Sequence, residues 1–156
     1  MSNQTYWLKS IGLPEDPIVK NGFADFREEI HFPKNPQSIH PGDYLLLYAV
    51  GHHRLIGLFE VEHRALMFDS EQIAQVNWRS RFPYYLHGNN LFKLFSNDWF
   101  NYNVNPFLLQ ESYITRTKLP ITAPGNDSLG GLLHGHSHIR LAEKFAEFLI
   151  QEMKRC

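Results

Sequence analysis

Hydrophobic and polar positions along the chain predict mostly strands in its first half. Thr5–Ser10 alternates between apolar and polar residues, which is typical of a half-buried strand. The apolar run Tyr44–Val50 and the following run Leu55–His63 predict a hairpin at the centre of a sheet. Gly57 inside the second run indicates a bulge or a close approach of two backbones. Between the first strand and the hairpin, the prolines of His31–Pro41 predict a loop.

The rest of the pattern adds two weaker strands and two helices. Val76–Leu86 predicts a strand that Pro83 limits to a sheet edge or a kink, and Ser112–Leu119 alternates as a late strand. Apolar residues at helical spacing predict a helix over Asn21–Ile30 and a C-terminal helix from about Ile139. This order of elements predicts an α+β fold around one curved, mostly antiparallel sheet.

The composition indicates one globular domain that spans residues 1–156. Hydrophobic residues make up 43% of the chain and charged residues 20%, which excludes a largely disordered protein. The net charge of −1 excludes a protein that holds nucleic acid by a large basic surface alone, because such proteins carry a strong positive excess. A pocket that binds a single base by stacking is compatible with this charge.

Cysteine content and the length of the apolar runs bear on location. Cys156 is the only cysteine of the sequence, so we expect no internal disulfide and no cysteine-based zinc site. The longest apolar run has about seven residues, whereas a membrane helix needs about 20. The first residues lack the apolar run of a signal peptide. We therefore expect a cytoplasmic protein that does not bind a membrane.

Several short motifs, taken in chain order, resemble those of a known family. Tyr6–Ser10 (YWLKS) is similar to the opening strand of the EVE domains, and Val19–Asn21 is similar to the start of their first helix. The turn Pro41–Asp43 and the hairpin after it resemble the family's G-D-x-V-L-F-Y and I-V-G-I-A-E-V strands, and Gly130–Leu132 resembles its closing segment. EVE domains belong to the PUA-like superfamily, which includes the related YTH and ASCH domains. The resemblance covers most of the chain.

The resemblance implies a PUA-like β-barrel flanked by helices, with a pocket between barrel and helix. Relatives hold a modified base of DNA or RNA in an aromatic cage, so it implies a nucleic-acid-binding module that is not an enzyme and needs no cofactor. It leaves open whether the chain acts alone or as the specificity part of a restriction or defence system with a nuclease or NTPase partner. Two alternatives stay open: an ASCH-like hydrolase of a small molecule or modified nucleoside, and a plain interaction domain.

Three aromatic residues, Trp7, Tyr48 and Trp78, are the candidates for stacking on a base. Trp78 has polar neighbours, whereas Trp7 and Tyr48 lie in predicted strands and also fit ordinary core positions. Asn21 could read a base edge because its amide both donates and accepts hydrogen bonds, or it caps the predicted helix. Ser10 has the same two interpretations.

Basic residues next to these aromatics could hold the phosphates of a nucleic acid. Lys9 lies beside Trp7 and Ser10, and Arg79 follows Trp78 directly. Such side chains supply sequence-independent contacts to a nucleic-acid backbone. The alternative is that both are solvated surface charges, as most lysines and arginines are.

Metal and catalytic motifs are weak. His134, His136 and His138 alternate and could ligate a transition metal, but no carboxylate lies within about four residues of them, so we expect no metal site. The sequence contains neither G-x-S-x-G nor H-E-x-x-H, and it has no phosphate-binding glycine loop. These observations favour a binding protein over an enzyme.

Overall fold

The computed structural model describes residues 4–12, 29–50, 53–75, 77–91, 104–123, 129 and 138–155. Within these residues the chain forms one curled, mixed sheet flanked by helices, which confirms the predicted α+β class. Most of the helix predicted over Asn21–Ile30, including Asn21 itself, lies outside the described residues. No helix in the described ranges is long and apolar enough to cross a membrane.

Seven strands form the sheet in the described part of the chain. They are β1 (Tyr6–Gly12), β2 (Glu29–Phe32), β3 (Tyr44–Val50), β4 (Arg54–Val61), β5 (Leu66–Met67), β6 (Tyr84–Asn90) and β7 (His138–Leu141). Their order across the sheet is β2-β6-β4-β3-β1-β7, and β5 pairs with β6. β1 runs parallel to β3, and the other strand pairs are antiparallel. The sheet is therefore mostly antiparallel, as the sequence predicts.

Helical segments connect the strands of this sheet. They are α1 (Ser70–Gln75), a 3-10 helix (Asn77–Ser80), α2 (Pro106–Thr117) and α3 (Glu143–Lys154). α2 begins at Asn105, whose side-chain oxygen accepts a hydrogen bond from the backbone N–H of Phe107. It ends at Lys118 in the left-handed conformation, with φ of 59°. Both ends of α2 are thus set by local signals.

The central hairpin forms where the sequence predicts it, from β3 and β4. Leu46 lies opposite Leu58, and both side chains are buried in the core. Leu47 faces Gly57, and the strand register shifts between Leu47 and Tyr48. The glycine in β4 therefore marks a bulge, as its position in an apolar strand indicates.

Alternating residues of β1 belong to two different faces of the sheet. Leu8 lies on the face covered by α2 and α3, in one hydrophobic cluster with Leu46 and Tyr48. Trp7 and Lys9 therefore point to the opposite face, which lines the inside of the curl. Because β1 pairs with β3 on one side and with β7 on the other, it contributes side chains to both layers of the core.

The turn before β3 is organised by a buried carboxylate. Oxygen atoms of Asp43 accept hydrogen bonds from the backbone N–H of Thr5 at 3.1 Å, the backbone N–H of His40 at 2.9 Å and the indole N–H of Trp7 at 3.1 Å. Gly42 precedes it with φ of 89°, a conformation that side chains with a Cβ rarely adopt. The Pro-Gly-Asp motif thus fixes β1 against the start of β3.

Two of the predicted strands are wrong. Ser112–Leu119 lies mostly in α2, whose buried residues include Tyr113; Asn105 and the proline after it start a helix there. Val76–Leu86 contains the 3-10 helix, and β6 begins only after Pro83. The carbonyl of this proline accepts the backbone N–H of Phe68 and so leads into the sheet instead of interrupting it.

Two other boundaries also differ from the prediction. β2 occupies Glu29–Phe32, where the pattern predicts the end of a helix and the start of a loop, because these residues pair with β6. Ile139 lies in β7 opposite Leu8, so the last helix begins only at Glu143. In both places backbone pairing with a distant strand overrides the local pattern.

Candidate functional site

Four side chains from three strands meet inside the curl of the sheet. The ring of His138 packs edge-on against Trp7, with centroids 5.4 Å apart, and against Phe32, also at 5.4 Å. The ammonium nitrogen of Lys9 lies 4.9 Å from the centre of the Phe32 ring. We call these four residues the seam, because they join β2 and β7, the two outermost strands of the sheet order.

The seam reaches the protein surface at one of its four members. Phe32 is fully buried, Lys9 is 3% exposed and Trp7 is 8% exposed, whereas His138 is partly exposed. Arg140, two residues further along β7, pairs with Trp7 and is exposed. Flat ring surfaces therefore lie next to an exposed cation at this edge of the sheet.

Trp7 is held in place by the turn before β3. Its indole N–H donates to the Asp43 carboxylate, and that carboxylate has two further donors in the backbone. The ring is therefore fixed in one orientation, which is what a preformed stacking wall requires. The stacking of Trp7 on a base stays a prediction.

Lys9 is not the surface cation that the sequence predicts. Its side chain is buried, and its ammonium group donates a 2.7 Å hydrogen bond to the backbone carbonyl of Ser10. Desolvation by burial lowers the pKa of Lys9 to about 7. At neutral pH this side chain is therefore divided between a charged and an uncharged form, whereas an exposed lysine is charged.

Ser10 and Tyr48 lie on the other face of the sheet. They are partners in the β1–β3 register, one residue beyond Lys9. Tyr48 is 3% exposed, its ring packs 5.0 Å from that of Phe107 on α2, and burial raises its pKa. Strand alternation therefore places the rings of Trp7 and Tyr48, both candidates for stacking on a base, on opposite faces of the sheet.

The remaining candidates lie away from the seam or outside the described residues. Arg79 donates from Nη1 to the backbone carbonyl of Gln72 at 2.9 Å, and its guanidinium group lies 4.5 Å over the ring of Phe68. Trp78 belongs to the same 3-10 helix, but its side chain and all of Asn21 fall outside the described part of the chain. Their roles in binding stay predictions.

Sequence reasoning missed two residues of the seam. Phe32 was predicted to lie in a loop, and His138 was considered only as one of three alternating histidines. Neither position carries a local signal for the seam, because their contact depends on the curl of the whole sheet. The local pattern at His138 indicates only a strand: this residue begins an alternating stretch, His138–Leu141, that is short enough for an edge strand.

A second polar cluster occupies the opposite face of β2 and β6. Glu29 binds Nε2 of His31 at 2.5 Å and Nε2 of His87 at 3.1 Å, and His87 Nδ1 lies 3.0 Å from Nε2 of His63. Burial by itself raises the pKa of the Glu29 carboxyl, but hydrogen bonds and charge from the two neighbouring histidines outweigh it and lower the pKa overall. Among the described residues, no group of three or more possible ligands is arranged to hold a metal ion.

A surface groove of about 770 Å³ lies between α2 and α3 and does not include the seam. Its lining mixes the apolar rings and chains of Tyr6 and Phe148 with both acidic and basic side chains, such as Glu147 and Lys144. The groove is open to solvent, and its lining contains none of the candidate residues Trp7, Lys9 and Arg79. We therefore place the candidate site at the seam.

Comparison with solved structures shows which fold this is. No protein-family model matches the chain, and no curated protein matches it. Human THYN1, in a crystal structure with DNA that contains 5-methylcytosine, matches with a TM-score of 0.53 and 9% identity over 96% of this chain and 98% of that one. A Leishmania major protein matches with a TM-score of 0.54 and 12% identity over 98% of this chain and 96% of that one. Rpa0253 from Rhodopseudomonas palustris matches with a TM-score of 0.52 and 11% identity over 97% of this chain and 94% of that one.

The chain has the PUA-like fold. The PUA-like fold agrees with the resemblance of the sequence motifs to EVE domains, and the whole of this fold is present here because the matches span nearly all of both chains. At identities of 9% to 12% the likeness concerns the backbone and carries no residue roles.

Proposed function

We propose that this protein is a nucleic-acid-binding module that recognises a modified base of DNA or RNA. The observation that supports the proposal most is the fold, which it shares over nearly its whole length with human THYN1, a protein crystallised with DNA containing 5-methylcytosine. The motifs that resemble EVE domains support the same function independently.

The seam has the chemistry that such a ligand needs. A flipped base requires flat surfaces for stacking and polar groups that meet its edge. Trp7, Phe32 and His138 supply rings, and Lys9 supplies an amine among them. In this proposal His138 is the ring that first contacts the base, because it is the seam residue that reaches solvent.

The exposed end of β7 supplies the contact to the nucleic-acid backbone. Arg140 is exposed and lies on the same face as the seam, through its register with Trp7. An arginine at this place can bind a phosphate next to the extruded base. Asn21, Trp78 and Arg79 remain further candidates for the base edge, a second stacking surface and a second phosphate contact.

Equilibrium binding to matched oligonucleotides tests this function. The set pairs plain and modified versions of one sequence, with 5-methylcytosine in DNA and N6-methyladenine in DNA and RNA, at several salt concentrations. The modified member of at least one pair is expected to bind about fourfold more tightly, because burial of one methyl group contributes about 0.8 kcal/mol. Equal affinity within every pair would contradict the proposal.

Variants locate the binding site. His138→Ala should reduce discrimination between modified and plain oligonucleotides, whereas His40→Ala, an exposed histidine outside the seam, should leave it unchanged. Arg140→Ala should weaken binding to all oligonucleotides and lower the salt slope by about one, because one phosphate contact is lost. Arg64→Ala serves as its control, since Arg64 is also exposed but lies outside the seam.

The proposed function extends to a partner. A module that only recognises a modified base needs a second activity to act on that base or on the strand. We propose a nuclease or an NTPase of a restriction or defence system for this role, and co-purification from the native source followed by mass spectrometry tests it. Recovery of the protein alone under these conditions would contradict this extension and leave base recognition intact.

A further inference from the structure

We propose that Lys9 captures an aldehyde-bearing base covalently, through a reversible imine on its side-chain nitrogen. The proposal rests on the base recognition proposed above and names a ligand class for the same site. It assigns the seam a reaction in addition to binding.

The position of the Lys9 amine carries this inference. The amine lies against the Phe32 ring, and the residue is buried on the face that also holds Trp7 and His138. Its one hydrogen bond among the described contacts goes to a backbone carbonyl, and none of the ion pairs among the described residues involves it. A buried lysine in an apolar site is the kind of amine that forms imines with carbonyl compounds.

The groups that surround Lys9 in the described residues favour its uncharged form. On β2, Glu29 and His31 alternate with Phe32 and therefore face away from Lys9. The hydrogen bonds of the Asp43 carboxylate go to the Trp7 indole and to backbone N–H groups, and none of them goes to Lys9. On β3, the seam-facing register partners of Trp7 and Lys9 are leucines. This apolar setting agrees with the lowered pKa of about 7 for Lys9.

His138 stands where a proton carrier is needed. It is the register partner of Lys9 across β1 and β7, and both side chains contact the ring of Phe32. In the reaction the lone pair of the Lys9 nitrogen attacks the aldehyde carbon, the carbonyl oxygen takes a proton, and the nitrogen loses one of its two protons to give a neutral carbinolamine. The hydroxyl then takes a second proton and leaves as water while the C=N bond forms, and the nitrogen loses its remaining proton. His138 is a positioned acid and base for these transfers, and hydrolysis reverses the sequence without any oxidant or reductant.

Reductive trapping tests the capture. The full-length protein is incubated at pH 7 with three oligonucleotides of one sequence that carry cytosine, 5-methylcytosine or 5-formylcytosine, and sodium cyanoborohydride then reduces any imine. A covalent protein–DNA band on a denaturing gel is expected with the formyl oligonucleotide alone. Peptide mass spectrometry should place the adduct on Lys9, since at pH 7 an exposed lysine has roughly a thousandfold smaller uncharged fraction.

A matched pair of variants separates the seam amine from ordinary lysines. Lys9→Met should lower the yield of the adduct by about tenfold or more, whereas Lys34→Met, which changes an exposed lysine, should leave it within about twofold. Circular dichroism checks that the variants are folded. The mapping on the wild-type protein does not depend on either variant, so the test stands even if Lys9→Met fails to fold.

The outcomes distinguish this inference from the proposed function. An adduct that maps to exposed lysines, or no adduct at all, overturns covalent capture by Lys9. Equilibrium binding of the same oligonucleotides, measured without reductant, tests base recognition separately. If 5-methylcytosine DNA is preferred but the formyl oligonucleotide leaves no adduct on Lys9, the proposed function stands and covalent capture is wrong. If an adduct forms on Lys9 but 5-methylcytosine DNA binds no better than plain DNA without reductant, aldehyde capture stands and non-covalent recognition of the methylated base is wrong.

Discussion

The ring of His138 meets the ring of Phe32 edge-on, at 90° and with centroids 5.4 Å apart. These two residues belong to β7 and β2, which stand at opposite ends of the strand order. Their contact closes the curl of the sheet through side chains, because the described residues of these two strands are not paired with each other. A closure of this kind can open for a ligand without breaking a strand pair, and for this reason we place the candidate site there.

Replacing the buried carboxylate of Asp43 should destabilise the protein. Asp43→Ala leaves three donors without their acceptor, including the indole N–H of Trp7. Because each unsatisfied buried donor is costly, we expect the free energy of unfolding to fall by about 2–5 kcal/mol. Urea denaturation measures this, with the exposed Glu62→Ala as control. A loss below about 1 kcal/mol would show that water replaces the carboxylate.

The core beneath the helices depends on the hairpin. Leu46→Ala should lower the free energy of unfolding by about 2–5 kcal/mol, because a cavity remains between the sheet and the helices that cover it. Leu108→Ala on α2 is the control, since Leu108 is 75% exposed and its replacement should change stability by less than about 0.5 kcal/mol. Equal effects in denaturant titrations of the two variants would mean that the core lies elsewhere.

The buried amine of Lys9 should make stability depend on pH. The unfolded chain binds a proton at this lysine up to a pKa of about 10.4, whereas the folded state releases it near pH 7. Between these values the unfolded state binds more protons, so the stability of the wild type falls as the pH is lowered from about 10 to 7 and this effect levels off below pH 7. Lys9→Met removes the effect.

The variant should therefore be more stable than the wild type by on the order of 3–5 kcal/mol at pH 7 and below. The difference should shrink towards pH 10. Denaturation at four pH values measures it, and Lys34→Met should show no such trend. A wild type that is more stable than Lys9→Met at pH 7 would mean that the amine has stabilising partners. A stabilised variant that no longer forms an adduct would show that the lysine is kept for function at the expense of stability.

The cluster around Glu29 should stabilise the protein above acidic pH. The pKa of this carboxyl is lower in the folded state, so its contribution is present above the unfolded pKa of about 4.3 and is lost as the pH falls through the folded value. Glu29→Gln should cost about 1–3 kcal/mol at pH 6.5, because hydrogen bonds to a charged group are lost. At pH 3.5 the two proteins should differ less. If the free energies of unfolding of the two proteins differ equally at both pH values, the effect comes from packing and not from the charge of Glu29. Glu62→Gln, at an exposed position, is the control.

Much of the fold was predictable from sequence where local and distant forces agree. The hairpin of β3 and β4 was predicted correctly because its apolar runs, its turn and the bulge at Gly57 all favour the same structure. The prediction of a strand over Ser112–Leu119 was wrong because the period of a strand and the period of a helix compete in this stretch. Asn105 and the proline after it nevertheless give a clear helix start. For β2 and β7 the deciding interaction is pairing with a strand far away in sequence, and no short pattern contains it.

The candidate site was predictable only in part. Trp7 and Lys9 were correctly taken as neighbours, since they lie two apart on one strand. That Lys9 is buried could not be read from its sequence, because lysine in a strand is usually exposed and burial here depends on the rings that cover it. Phe32 and His138 join the site through the curl of the sheet, and curl is a property of the assembled strands.

The pairing of β1 with β7 also has a consequence in time. Tyr6 lies opposite Leu141, so nearly the whole length of the chain separates these partners. Closing so long a loop is entropically costly, and folds that depend on such contacts form slowly. Until β7 docks, Lys9 lacks the cover of His138 and keeps the higher pKa of an exposed lysine, so its amine stays mostly protonated. The nucleophilic amine therefore forms only when the sheet is complete, and the reactivity of Lys9 is a late event in the life of each molecule.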